Sequence, residues 1–413
     1  MLPRHKLPTG TNLRILYQHC RCDEHTLYRP ESVVSQIMQM IQSVGFQAIN
    51  HTSYAFAESG YTIAIILAES HLVIHTWPEH NKLVLIEISV CDFTQVNREK
   101  TIRLGDRLAE LFQPVDILDE ITSMIPRICT KNVEGYGFRM ELDSLITSRK
   151  SRFQDIIIAD TAAFGRVLLL DGIMQTSEKD DCFYHEPLVH VPMLSHPHPQ
   201  NVLICGGGDG GAAREVLKHP CVQSCTIVDI DAEVVSLARD HLGVIHQGSL
   251  VDPRIHIQIQ NAVDFVHTTR SSFDVIILDN TDPVGCAEIL FSREFYQDVH
   301  QRLAPDGYVS LNIGAPLLFE KNSTRIVQEV HEIFSCGYPY LHFIPSYGSL
   351  MGFLLCMKME RELIPLEDVE NRLNQRALHD LRIISPNTFH ALFAVPPFLH
   401  NVFASVSSGK SDP

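Results

Sequence analysis

Apolar positions in the first third of the chain switch between two periods. Residues 12–19 (NLRILYQH) alternate as a strand does, whereas PESVVSQIMQMIQSVGF sets apolar side chains at 33, 34, 37, 38, 41 and 44 before Gly45, which predicts an amphipathic helix. Three β-rich runs follow, TIAIILAE, HLVIHTW and LVLIEISVC, and then a second helix over 102–112 that Pro114 stops. Residues 1–128 therefore read as a compact α+β domain. Short β-rich runs broken by turns over 135–178 predict hairpins, so 129–190 reads as a small β subdomain. Past a Pro- and His-containing stretch at 192–199, strands and helices alternate: NVLI, CGGGDGG, AAREVLKH, TIVDID, EVVSLARDHL, IHIQIQ, DVIILD. That order predicts a doubly wound parallel sheet within 191–400. Residues 401–413, ending SVSSGKSDP, are expected to form a flexible tail.

Composition narrows the class. A length of 413 residues suits two or three domains, and 45% apolar with 20% charged residues are ordinary values for a soluble folded chain. Lys and Arg total 33 against 49 Asp and Glu, so the formal charge of −16 disfavours nucleic acid and anionic membranes and suits cationic ligands such as amines. No apolar run approaches membrane-spanning length, and MLPRHKLPTG lacks the apolar core of a signal peptide, so a cytoplasmic address is expected. The 11 cysteines are an odd number without a C-x-x-C pair, which reads as reduced thiols. His190, His196 and His198 lack regular ligand spacing, and no metal is expected.

The chemistry gathers around the turn Gly206-Gly207-Gly208-Asp209-Gly210-Gly211, which lies between a strand and a helix. Glycines there let backbone approach a ligand in the crevice above a parallel sheet. Asp229 ends the next strand, where a carboxylate accepts ribose hydroxyls of a nucleoside. Asp209 inside the loop would repel a pyrophosphate, which disfavours dinucleotides and favours a nucleoside with positive charge, such as a sulfonium. The alternative is that Asp209 caps the following helix. The strand FDVIILD delivers Asp279 to the same edge, and Asp282 follows in the turn Asp279-Asn280-Thr281-Asp282-Pro283. So many carboxylates about one nucleoside pocket make a cage for a cation.

These residues carry a resemblance. Residues ~135–400 resemble the spermidine synthases, on Gln154-Asp155-Ile156, Leu170-Asp171-Gly172, Gln175-Thr176, Tyr184-His185-Glu186, the GGGDGG loop, Asp279 to Asp282 and Pro345-Ser346-Tyr347. The resemblance implies transfer of the aminopropyl arm of decarboxylated S-adenosylmethionine to putrescine, giving spermidine and methylthioadenosine. It implies Asp279 as the base, with Tyr184 and Tyr347 orienting the amine and Asp282 holding it. Gln154, His185 and Asp209 would contact donor or amine, and Asp229 the ribose. The chain departs from the family pattern where Asp229 replaces Glu, Asn261-Ala262 replaces Asp-Gly near the adenine, Cys286 replaces Pro, and Asn280 varies the acidic turn. Asn261 can still accept from the adenine amino group.

Residues 12 to ~125 resemble the bacterial type of S-adenosylmethionine decarboxylase, on Ala68-Glu69-Ser70-His71-Leu72-Val73-Ile74-His75-Thr76-Trp77-Pro78-Glu79. The resemblance implies self-cleavage between Glu69 and Ser70, which turns Ser70 into a pyruvoyl group whose carbonyl takes up electrons as carbon dioxide leaves. It gives His75 as processing base and Cys91 as catalytic acid, with Thr62 where Ser is usual. Together the two resemblances imply an N-terminal α+β sandwich, a small β subdomain and a Rossmann-like, methyltransferase-type α/β sheet, assembled as a homodimer or homotetramer. Three alternatives stand: a front domain kept only for dimerisation, a front domain that decarboxylates another amino acid, and a non-catalytic polyamine-binding protein.

Overall fold

A computed structural model of the chain describes residues 10–57, 59–91, 97–123, 127–133, 136–280, 290–334 and 336–407. Its contacts divide into one unit of Met1–Ile128 with Glu141–Ser144 and a second of Cys129–Met140 with Leu145–Pro413.

The first unit runs β1 (Gly10–Gln18), α1 (Glu24–Tyr28), α2 (Pro30–Ser43), β2 (Ala48–Phe56), β3 (Gly60–Leu67), β4 (Ser70–Trp77), β5 (Leu83–Cys91), α3 (Arg98–Phe112) and β6 (Asp116–Ser123). Among the described residues its strands form one antiparallel sheet ordered β2-β3-β4-β5-β1-β6. Alternation decides its faces: Leu13 and Ile15, Ile63 and Ile65, Leu72 and Ile74, and Ile86 and Ile88 all turn inward. Val33, Ile37 and Ile41 of α2 and Leu104, Leu108 and Phe112 of α3 share that core, so the periodicity read at 33, 37 and 41 is the buried stripe. The sequence reading missed β2, because AINHTSYAF carries no apolar alternation; it is an edge strand with its side chains exposed from Ile49 to Phe56.

Along the chain β7 (Arg127–Val133), β8 (Tyr136–Glu141) and β9 (Ser144–Lys150) follow, each with its end residues at the division between the units, and then, within the second unit, β10 (Asp155–Thr161), β11 (Gly165–Leu170) and β12 (Ile173–Ser177). The expected hairpins are present, with β10, β11 and β12 pairing antiparallel in turn. Next comes α4 (Asp181–Ser195), which sequence reading did not find because Pro187 and Pro192 lie inside it, and which runs through the boundary drawn at 190/191. Every residue of α4 except Phe183 is buried, so it shows no amphipathic period, and surrounding packing outweighs the two prolines. A buried chain of hydrogen bonds ties α4 to α5 (Gly211–Leu217) and α11 (Leu366–Gln375). Arg376, just past α11, only donates, so His219 Nδ1 accepts from it at 3.1 Å and the His219 proton sits on Nε2. That proton faces His190 Nδ1 at 2.9 Å, leaving His190 Nε2–H for Glu215 at 2.8 Å. Burial holds His219 well below the usual histidine range, which keeps it neutral in this role.

The rest is β13 (Asn201–Gly206), β14 (Ser224–Asp229), α6 (Ala232–His241), α7 (Gly243–His246), β15 (Ile255–Ile259), α8 (Ala262–Thr268), β16 (Phe273–Asp279), α9 (Arg293–Arg302), β17 (Leu303–Asn312), α10 (Glu320–His331), β18 (Cys336–Ile344), β19 (Ser349–Met357), α12 (Pro386–Ala391) and α13 (His400–Ser407). The sheet order is β15-β14-β13-β16-β17-β19-β18. Its first five strands are parallel, as expected, but β19 runs antiparallel to both neighbours. The correction follows from chain length: the short turn after Ile344 joins β18 to β19, and a parallel pair needs a far longer crossover. The expected loose tail from 401 is also corrected, since α13 reaches Ser407 and buries Val402 and Phe403 in the core beside Phe334.

Candidate active site

Parallel pairing sets Gly206 at the end of β13 beside Asp279 at the end of β16. A Cβ on Gly206 (φ 87°) would lie 2.0 Å from the Asp279 carbonyl oxygen, so only glycine lets the loop leave the sheet there. Gly211 opens α5 under the His185 ring, where a Cβ would come within 2.3 Å of Cε1. The loop, β14, β16, α4 and the turn after β18 together line one cavity, which includes Gln154, Tyr184, His185, Asp209, Asp229, Asn261, Ala262, Asp279 and Tyr347. The sequence-derived residues thus converge. Asp282 and Cys286 lie outside the described residues.

Each carboxylate has a distinct setting. Tyr184 Oη donates to Asp279 Oδ1 at 2.9 Å. Enclosure pushes Asp279 up to about 6; His185 pulls it down and Asp209 adds to the rise. Asp229 accepts Gly208 N–H on Oδ2 at 3.0 Å and Asp231 N–H on Oδ1 at 2.8 Å, yet burial still pushes it up to about 6. Asp209 Oδ1 accepts Gly211 N–H at 2.8 Å, two residues on, while Oδ2 faces His185 Nε2 at 3.7 Å; the N-cap of α5 is Gly210, so Asp209 stabilises the turn and is not the helix cap. On its other side His185 Nδ1 faces Asp181 at 3.6 Å, one helical turn earlier on α4. Burial alone would lower the His185 pKa; Asp209, Asp181 and Asp279 outweigh it and hold the ring at about 9. Arg214 in turn sits 2.6 Å from Asp181. Neither Asp181 nor Arg214 was legible without α4, whose i, i+4 spacing is the signal that pairs Asp181 with His185.

The remaining predicted contacts are partly engaged within the protein. Gln154 Nε2 donates to Asp231 Oδ2 at 3.0 Å. Asn261 Oδ1 accepts Val263 N–H at 2.8 Å and so caps α8, leaving one lone pair for a ligand. Tyr347 packs 5.9 Å from Tyr184 by ring centroids and donates its hydroxyl to the Gln175 carbonyl. Its turn is pinned by Asp180, unremarked in the sequence, which accepts Ser346 N–H at 2.6 Å and the Ser177 hydroxyl at 2.5 Å. Among the described lining residues, His185 is the one basic side chain against three aspartates.

In the first unit, Ser70 begins β4 after a tight turn, and Cys91 N–H donates to the Glu69 carbonyl at 3.0 Å. Cys91 is therefore beside the Glu69–Ser70 peptide. His75 is not: it stands five residues along β4, roughly 16 Å at the usual strand rise, and on the opposite face. Its Nδ1 instead pairs with the Thr62 hydroxyl at 2.8 Å, and its ring stacks on Trp77. The ring nitrogen near Ser70 Oγ is His71 Nδ1, at 3.3 Å. Among the described residues no group of three or more metal-ligating side chains gathers, and no helix is long and apolar enough to cross a membrane.

Comparison with known proteins agrees with both halves. Residues 181–367 match the family model described as spermine/spermidine synthase domain, 127–178 that of the spermidine synthase tetramerisation domain, and 14–116 that of S-adenosylmethionine decarboxylase. The polyamine aminopropyltransferase of Nitrosomonas europaea is 35% identical over 65% of this chain and 83% of its own. That of Moorella thermoacetica is 40% identical over 63% of this chain and 90% of its own. A crystal structure of spermidine synthase in complex with the transition state analogue AdoDATO superposes with a TM-score of 0.64 at 33% identity, covering 68% of this chain and 95% of that one. A spermidine synthase from Thermotoga maritima gives 0.63 at 32% identity with the same coverage. With its acidic crevice at the rim of a parallel sheet and relatives of this identity matched over most of their length, the chain belongs to the polyamine aminopropyltransferase family, and carries an S-adenosylmethionine decarboxylase-like region ahead of it.

Proposed function

We propose that the second unit transfers the aminopropyl group of decarboxylated S-adenosylmethionine to putrescine, releasing methylthioadenosine and spermidine. The observation that carries this reading is the charge of the cavity: three aspartates and one histidine, in a wall otherwise neutral among its described residues. A sulfonium with a bare ammonium arm satisfies Asp209, whereas a methionine carboxylate would be repelled by it. The acceptor amine arrives protonated, with a pKa near 10 as for lysine. Asp279 takes its proton, Tyr184 fixes Oδ1 of that base, and Tyr347 flanks the amine. The freed nitrogen attacks the carbon next to sulfur, the carbon–sulfur bond breaks, and the sulfonium becomes a neutral thioether. Placement in line does most of the work, since no leaving group needs a proton. Asp229 and Asn261 suit the ribose and adenine. Asp279→Asn should keep donor binding and lower kcat by roughly 10²–10⁴-fold, read from methylthioadenosine release. A wild-type chain that binds donor and amine without turnover would make it a binding protein instead.

The same reading gives the first unit the preceding step, decarboxylation of S-adenosylmethionine, after self-cleavage between Glu69 and Ser70. The residues fit a pyruvoyl group at Ser70: the peptide lies in the tight, half-exposed hairpin turn between β3 and β4, with its carbonyl held by Cys91 N–H. Such a group supplies a carbonyl that withdraws electrons while carbon dioxide departs. Cys91, adjacent to it, is suited to return a proton. Denaturing mass measurement tests this: wild type should give two fragments and Ser70→Ala a single 46.6 kDa chain. An intact wild type would leave a dimerisation module. The match of 127–178 to a tetramerisation domain supports assembly as a homodimer or homotetramer.

A further inference from the structure

The Asn97 side chain does something its position does not ask for. Asn97 stands at the N-terminus of α3, where an Asn side chain ordinarily accepts a backbone N–H of the first turn, yet it makes no such cap. It is fully buried, and its backbone is pinned because its carbonyl accepts both the N–H of Thr101, at 3.0 Å, and the Thr101 hydroxyl, at 2.9 Å. From that anchor Nδ2 reaches in the other direction and donates to Glu69 Oε2 at 2.8 Å and to the Cys91 carbonyl at 3.0 Å. Those two residues are also joined directly, by Cys91 N–H on the Glu69 carbonyl at 3.0 Å. One amide thus clamps both partners of the hydrogen bond that holds the Glu69–Ser70 peptide.

We infer that Asn97 is a positioning residue for self-cleavage, holding the Cys91 N–H on the Glu69 carbonyl oxygen where negative charge develops. This rests on the reading that the chain cuts itself. In that reaction Ser70 Oγ attacks the Glu69 carbonyl carbon, and the oxygen that becomes negative is the one facing Cys91 N–H. The carbon–nitrogen bond then breaks, the hydroxyl proton ends on the freed Ser70 amine, and an ester joins Glu69 to Ser70 Oγ. Loss of the Ser70 Cα proton expels the Glu69 carboxylate and cuts the chain. The dehydroalanine left at position 70 tautomerises to an imine, and water replaces its nitrogen, releasing ammonia. Asn97 acts on the first of these steps, because a hydrogen-bond donor displaced by about an ångström loses much of its effect on the charged intermediate.

The test follows cleavage of the purified full chain by denaturing mass spectrometry. Asn97→Asp replaces the donor by an acceptor of the same shape, and Asn97→Ala removes it. Both should cleave at least about tenfold more slowly than wild type while melting at a temperature well above that of the assay. Hydroxylamine, which cuts esters but not amides, should not cut the slow variants, because they stall before the ester. Their aminopropyl transfer rate should be unchanged. At the other end of the clamp, Glu69→Gln keeps an oxygen acceptor and should cleave at least about fivefold faster than Glu69→Ala. Wild-type cleavage rates in both Asn97 variants, or an ester that hydroxylamine cuts, would overturn the role. An uncut wild-type chain would overturn the processing reading first and the role of Asn97 with it.

Discussion

Asp279 is half-buried in the cavity wall, and in the proposed reaction it carries a charge there. Enclosure raises it to about 6, and the His185 ring on α4 limits that rise. In the proposed role as base Asp279 works ionised, so kcat/KM for the amine should fall as pH drops below about 6, roughly tenfold per unit, and level off above 7. An acid limb at pH 4 would point to another base. Asp229 shifts the same way, to about 6. For both groups the folded pKa lies above the unfolded value of 3.8, so their contribution to stability is present at low pH and lost as pH rises through about 6. A cationic ligand offsets that loss, so decarboxylated donor should raise the melting temperature more at pH 7.5 than at pH 5. The aspartates were legible from sequence because glycine turns and strand ends mark them. Asn97 was not, since a lone Asn before a helix reads as an ordinary cap.

Elements explain what single residues cannot. Tyr347 reaches the cavity only because Asp180, at the start of α4, holds the Ser346 N–H and so the turn after β18. Asp180→Ala should loosen that turn and raise the amine KM by about three- to tenfold, with the donor KM unchanged and kcat reduced less. An equal rise in both KM values would show a general defect of the fold. α4 itself was illegible: its prolines argue against a helix and its all-round burial erases the amphipathic period. With it went the pairing of Asp181 with His185 and the sense of His190, which serves a buried hydrogen-bonded chain to Arg376. By contrast β13, β14 and β16 were plain in the sequence, because strands buried on both faces read as continuous apolar runs. Their antiparallel companions β18 and β19 carry similar apolar runs, and only the brevity of the turn between them fixes their direction.

At the scale of the whole chain, an excess of 16 negative charges gave the first hint of cationic ligands, and the structure concentrates the decisive ones in a single crevice. In the proposed function the two regions follow one chemical order: the first would yield a donor stripped of its carboxylate, and Asp209 in the second would favour a donor without one. That order was readable because the motifs of both regions are local in sequence. The distance between Ser70 and His75 was not, because strand geometry separates residues that sequence keeps five apart. The most direct measurement incubates the purified chain with S-adenosylmethionine and putrescine alone and identifies products by mass spectrometry. Spermidine and methylthioadenosine should appear, and Ser70→Ala should abolish both unless decarboxylated donor is supplied. Failure to form spermidine from putrescine and supplied decarboxylated donor would contradict the account at its centre.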